Sequence, residues 1–231
     1  MKIRLDDIPL YSKDAPLKEI LMAKTARPLT WLLIHTPISA NQVTMLSMFV
    51  ALIGCCLMIP GNYWLSLLGL AFFCLFMLLD HCDGQVSRYK HQSSKAGLYL
   101  DSRVHHIVEP LFFICCGIGV GIMTKDNIWY FVAGIAASTF YLMRQLMKLP
   151  EETTPGNFRA LNKERSLYGK ANYFLFQFLR INYPFSLLFF AIIFDVIGPV
   201  LIIYALVFMA NLIMSFYNTY AELKRKNEPL D

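Results

Sequence analysis

Apolar residues run through this chain in blocks too long and too continuous for one face of a soluble helix. From Asn41 the stretch NQVTMLSMFVALIGCCLMIP is almost unbroken, and Pro60-Gly61 closes it. A bilayer core takes roughly 20 apolar residues to cross as a helix, which sets a first span at about 41–60. A second begins near Tyr63, passes through LSLLGLAFFCLFMLLD and continues to about Arg88, and a third runs from near Lys95 to about Met123. Further spans follow at about 127–147, 171–195 and 198–220, and the polar stretch 149–170 is the longest loop. The expected fold is all-α: a polytopic membrane protein of six transmembrane helices.

Ahead of the first span, residues 16–35 carry a weaker pattern. Pro16 suits the first turn of a helix after Asp14 as a cap. Leu17, Ile20 and Leu21 share a face, with Lys18, Lys24 and Arg27 as polar anchors. An amphipathic helix on the membrane surface is expected here, broken near Pro28 and followed by Trp31 and Leu32 at the interface; an ordinary N-terminal helix is the plainer alternative. The whole chain reads as one membrane domain, 1–231. Within it, 1–36 is a surface segment, 37–222 the six-helix core and 223–231 a cytoplasmic tail.

Composition agrees with the blocks. The chain of 231 residues is 56% hydrophobic and 16% charged, against about 25% charged in soluble domains. Its net charge of +5 raises the question of nucleic acid. The Lys and Arg residues lie between the apolar blocks, however, with no basic helix or aromatic-basic strand to read bases, so no nucleic-acid partner is expected. They mark orientation instead. With the N-terminus inside, the inner segments hold Lys2, Arg4, Lys13, Lys18, Lys24 and Arg27, then Arg88, Lys90 and Lys95, then Arg144 through Lys170, then Lys224, Arg225 and Lys226. The three outer turns, near Gly61, Lys125 and Gly198, share only Lys125. That asymmetry predicts cytoplasmic termini. The N-terminus has acidic residues and no early apolar run, unlike a cleavable signal peptide, so the first span is expected to direct insertion. Six cysteines (Cys55, Cys56, Cys74, Cys82, Cys115 and Cys116) lie in or beside apolar blocks without a CxxC zinc spacing, and read as small buried thiols. Gly117 and Gly121 give a GxxxG spacing suited to close helix packing, within the fold or across a homodimer.

Charged groups in a span cost on the order of 2.5–3.5 kcal/mol each near its centre. The chain nevertheless collects Asp80, His81, Asp83 and Arg88 at the inner end of the second span, and Asp101, Arg103, His105, His106 and Glu109 in the third. Asp80, Asp83, Gly84, Ser87 and Arg88 are three or four apart and share a helix face; Gly97, Asp101, His105 and Glu109 form a second stripe. Gly84 and Gly97 leave room beside the acids. Two such faces turned together would make an oxygen-rich pocket for a hard cation such as Mg²⁺ or Mn²⁺ and, through it, a diphosphate. An interhelical salt-bridge network, with Arg88 or Arg103 paired to Asp101, is the bland reading of the same residues.

The run Asp80-x2-Asp83-Gly84-x2-Ser87-Arg88-x8-Gly97-x3-Asp101-x3-His105 closely resembles the signature of the CDP-alcohol phosphatidyltransferase family, D-x2-D-G-x2-A-R-x8-G-x3-D-x3-D, with every spacing kept. Asn41-Gln42-Val43-Thr44 resembles the family's P-N-x-x-T opening of the first span, with Ala40 in place of Pro. The resemblance implies a membrane transferase of phospholipid biosynthesis. It would move a phosphate-linked group from a CDP-linked donor, CDP-diacylglycerol first among them, to an alcohol acceptor with release of CMP. It also implies a site: Asp80, Asp83 and Asp101 on Mg²⁺ or Mn²⁺, with Asn41, Thr44, Asp83, Gly84, Ser87, Arg88 and Gly97 around the nucleotide and diphosphate. Two positions depart from the pattern. Ser87 replaces a small Ala. His105 replaces the fourth acid, which in the family assists a metal and takes the alcohol's proton. Three readings stay open for His105. It is the base, since a histidine with an ordinary pKa of about 6.5 suits that task; the site is rearranged for another CDP donor, such as a CDP-amino-alcohol, or another acceptor; or the chain is an impaired relative. A non-enzymatic membrane protein using the acids as an ion site is the rival class. Arg144, Lys148, Arg165, Lys170 and Arg180 near the inner ends of the fourth and fifth spans would suit a phosphorylated acceptor, although inside anchoring explains most of them as well. Arg180 falls within a span and needs a partner.

Overall fold

A computed structural model describes residues 17–125, 127–147 and 186–226, and all regular structure among them is helical. Seven helices follow in chain order: α1 (Leu17–Ile34), α2 (Ala40–Met58), α3 (Tyr63–Tyr89), α4 (Lys95–Met123), α5 (Ile128–Met147), α6 (Ser186–Ile193) and α7 (Ile197–Lys226). They fall into two compact units, Met1–Leu111 and Phe112–Asp231, and α4 contributes to both.

By length and composition α2, α3, α4 and residues Ile197–Tyr217 of α7 can each cross a membrane. These match the expected first, second, third and sixth spans to within a few residues. The fourth is helical as α5, but its last turn carries Arg144 and Gln145 and leaves it less apolar. The fifth lies mostly outside the described residues; only α6, eight residues long, belongs to it. At 1.5 Å per residue, α3 is about 40 Å long against a hydrocarbon core of about 30 Å. The surplus is its last turns, which carry Asp83 to Arg88.

α1 corrects one expectation: the helix continues through Pro28. A proline removes the donor for the carbonyl four residues back. Here that is Lys24, and both residues lie on the exposed side of the helix, where the freed carbonyl can be solvated. The opposite side buries Ala23, Ala26 and Thr30, small residues that bring α1 close to α3. Two bonds hold the contact: the Thr30 hydroxyl donates to Gln85 Oε1 at 2.6 Å, and Gln85 Nε2 donates to the Ala23 carbonyl at 2.6 Å. The side chains of Leu17, Ile20 and Leu21 are not among those described.

α2 begins with a capping box. Ser39 Oγ accepts from the Gln42 amide at 3.3 Å, and Gln42 Oε1 accepts from the Ser39 amide at 2.8 Å, so Ser39 and not Asn41 caps this helix. The α2–α3 contact is closest at Gly54 and Gly69. A Cβ on either would stand 2.8–2.9 Å from the other's carbonyl oxygen, so both positions require glycine. Between α3 and α4, Lys90 Nζ donates to the Thr36 and Ile38 carbonyls at 2.7 and 2.8 Å. Gln92 Oε1 accepts from the Ala40 amide at 3.0 Å. The start of α2 is thus tied to the end of α3.

In the second unit Phe113, Tyr141, Tyr204 and Phe208 form an aromatic cluster with centroids 5.2–6.0 Å apart. Gly117 meets Gly134 backbone to backbone, and a methyl group at Gly121 would strike the Phe131 ring. The GxxxG face of α4 is therefore used within the chain. All six cysteines are free thiols, four of them buried.

Candidate active site

The first unit brings the two predicted faces together. Asp80 near the end of α3 and His105 in α4 meet directly, Oδ1 to Nε2 at 2.9 Å. Asp101, one turn before His105 on the same helix, places Oδ1 3.7 Å from that nitrogen. The three side chains can each offer one ligand atom, all within 4.8 Å of one another. Adjacent ligands of a six-coordinate ion with bonds near 2.1 Å stand about 3 Å apart, so the Asp80–His105 separation is that of two neighbouring ligands. Two carboxylates and one imidazole fit a divalent cation, and the nitrogen suits Mn²⁺ better than Mg²⁺.

Asp83 stands apart from this trio. It is buried, at 8% exposure, and Oδ2 accepts from the Thr44 hydroxyl at 2.6 Å. A carboxylate removed from water needs such a donor, and Thr44 supplies it from the first turns of α2. The bland reading of Asp101 as the partner of Arg103 does not hold, because the Arg103 guanidinium lies 4.7 Å from the Tyr99 ring centroid.

The motif's small residues shape the surroundings. Arg88 folds back along α3, its guanidinium 3.4 Å from where a Gly84 Cβ would be. Gly97 opens α4, and a Cβ there would stand 3.0 Å from Asn41 Oδ1, so the absence of a side chain lets Asn41 approach. Ser87 pairs with Ser93 of the connecting turn, oxygen to oxygen at 3.2 Å. Every predicted residue of the first unit, from Asn41 to His105, therefore lies on or beside the α2–α3–α4 cluster. Arg144 is in the last turn of α5 in the second unit. Lys148, Arg165, Lys170 and Arg180 lie outside the described residues.

The family model for CDP-alcohol phosphatidyltransferase matches residues 37–217. The chain belongs to the CDP-alcohol phosphatidyltransferase family. That match runs through both compact units and includes every motif residue. Among curated proteins it is similar to a bifunctional IPC transferase and DIPP synthase from Rubrobacter xylanophilus, 32% identical over 89 residues. The aligned stretch is 38% of this chain and 20% of that protein, so the chain spans about a fifth of the relative's length. Membership makes this chain a relative of membrane transferases that use CDP-alcohols.

Three residues that serve the site were not singled out from sequence. Gln85, fully buried, sits inside the motif at an unassigned position and fastens α3 to α1. Lys90 and Gln92 hold the start of α2. A glutamine amid the apolar half of a transmembrane motif was the available signal for Gln85; Lys90 was hidden among the inside charges.

Proposed function

We propose that this CDP-alcohol phosphatidyltransferase family member transfers a phosphatidyl group from CDP-diacylglycerol to an alcohol acceptor, releasing CMP. The work is done at the cytoplasmic face of a single six-span domain covering 37–222, acting as a homodimer among membrane lipids. The observation that carries this is the convergence of Asp80, Asp101 and His105, with ligand atoms within 4.8 Å, in the middle of a motif whose spacings all fit the family.

Asp80, Asp83 and Asp101 would hold Mg²⁺ or Mn²⁺. When bound, the ion neutralises diphosphate charge and polarises its P–O bonds. Arg88, on the same face of α3 as Asp80 and Asp83, adds a cationic clamp on the phosphates. Asn41, Thr44, Gly84, Ser87 and Gly97 border the nucleotide. The acceptor oxygen attacks the β-phosphorus and forms the new P–O bond. The bond from that phosphorus to the bridging oxygen breaks, and its electron pair leaves with CMP. His105 takes the acceptor's proton at Nε2, the ring atom that faces the two carboxylates. Arg144, Lys170 and Arg180 are proposed to receive a phosphorylated acceptor. With Gly117 and Gly121 covered inside the chain, a homodimer would use another face.

The test is CMP release by the purified full chain in detergent, supplied with Mg²⁺ or Mn²⁺, labelled CDP-diacylglycerol and a panel of alcohols. Release that depends on an alcohol supports transfer. Release without one would mean hydrolysis. No release from any CDP-linked donor would defeat the reading in favour of a non-enzymatic role.

A further inference from the structure

His105 has carboxylates at both ends of its ring. Nε2 faces Asp80 Oδ1 at 2.9 Å, and Nδ1 faces Glu109 Oε1 at 3.0 Å. A neutral imidazole carries one N–H and can donate to only one of them. The two carboxylates differ in their surroundings. Asp80 belongs to the trio with Asp101, whereas Glu109 lies outside that trio, one turn further along α4. Its side chain is only 13% exposed. A carboxylate that deep in a span is costly without a hydrogen-bonded partner, and Nδ1 of His105 supplies one. Being four residues apart on one helix, the pair needs no tertiary contact to form.

We infer that Glu109 is a positioning residue: by accepting the Nδ1 proton it holds His105 in the tautomer whose Nε2 lone pair points at Asp80 and Asp101. This rests on the proposed transfer, in which that lone pair takes the acceptor's proton, but it concerns a residue outside the family motif. Partners of this kind on the far side of a histidine ring fix its tautomer and raise its basicity. The motif's usual aspartate would need no such partner, because a carboxylate has no tautomer to set; histidine at 105 creates the need that Glu109 meets.

Selective ¹⁵N labelling of histidine in the full chain, with Mg²⁺ present, reads the tautomer directly. The expected His105 signal, assigned by its loss in His105→Asp, is a proton on Nδ1 and none on Nε2. A proton on Nε2 would overturn the inference. In Glu109→Ala the Nδ1 signature should be lost and kcat should fall about 10- to 100-fold, while KM for the CDP donor stays within about twofold, as for an interaction made only in the transition state. Glu109→Gln keeps a carbonyl acceptor and should recover both. In a His105→Asp background, Glu109→Ala should change nothing; an equal loss there would mark Glu109 as merely structural. Should the tautomer signature respond as expected while no CDP donor releases CMP, the transfer reading falls and the role of Glu109 stands. Should transfer persist while Glu109→Ala leaves the signature unchanged, the role of Glu109 falls and the transfer reading stands.

Discussion

Thr44→Val isolates one hydrogen bond at the centre of the site. Valine has the shape of threonine without the hydroxyl, so it removes the 2.6 Å donation to Asp83 Oδ2 and leaves packing nearly intact. Thr44 is 4% exposed and Asp83 8%, so water has little access to replace the lost donor. Hydrogen bonds to charged groups contribute about 1.5–3 kcal/mol, and a buried acceptor left unmatched costs a similar amount. A loss of about 2 kcal/mol corresponds to a shift of about 4–8 °C in the unfolding midpoint for a chain of this size. Thermal unfolding in detergent can be followed with a thiol-reactive fluorophore, because Cys55, Cys82, Cys115 and Cys116 are buried while Cys56 and Cys74 are exposed and set the baseline. Thr44→Ser retains the donor and should melt near the parent. If Thr44→Val melts within about 1 °C of the parent, or Thr44→Ser falls as far as Thr44→Val, the Thr44–Asp83 bond does not stabilise the fold as reasoned. Transfer should fall with stability in Thr44→Val, since Asp83 loses the contact that orients it.

Asp101→Asn keeps the side-chain volume and removes one ligand charge; cation-dependent CMP release should drop at least about 100-fold, the scale of losing one group that stabilises developing charge, and unchanged release would take Asp101 out of the site. Gln85→Leu keeps a buried side chain of similar size but breaks its bonds to Thr30 and Ala23. It should loosen α1 by about 1–3 kcal/mol, read as faster amide hydrogen exchange across residues 23–34, and unaltered exchange there would refute the anchoring role.

Much of the helical plan was legible along the chain because it depends on local terms. The ends of the third apolar block coincide with α4, and the second with α3 to within a residue. The pairing of His105 with Glu109 is likewise a property of one helix, since a spacing of four places ring and carboxylate on one side. Where sequence reading fell short, a neighbour far along the chain had intervened. Pro28 reads as a break, yet α1 passes through it, since its other face is held to α3 by Gln85, 55 residues from Thr30. Asn41 reads as a cap, but Ser39 takes that role and leaves Asn41 beside Gly97.

The sequence alone determined which side chains could do chemistry and which helix faces would display them, because periodicity and motif spacing are fixed by covalent order. Only tertiary structure decided that Asp80 meets His105 across 25 residues and that Thr44 meets Asp83 across 39. It also separated Asp83 from the trio of Asp80, Asp101 and His105. Those outcomes depend on how closely and at what roll the helices pack, which is set by contacts such as Gly54 on Gly69. Packing of this kind is a sum over many side-chain volumes, and no single stretch of chain contains it.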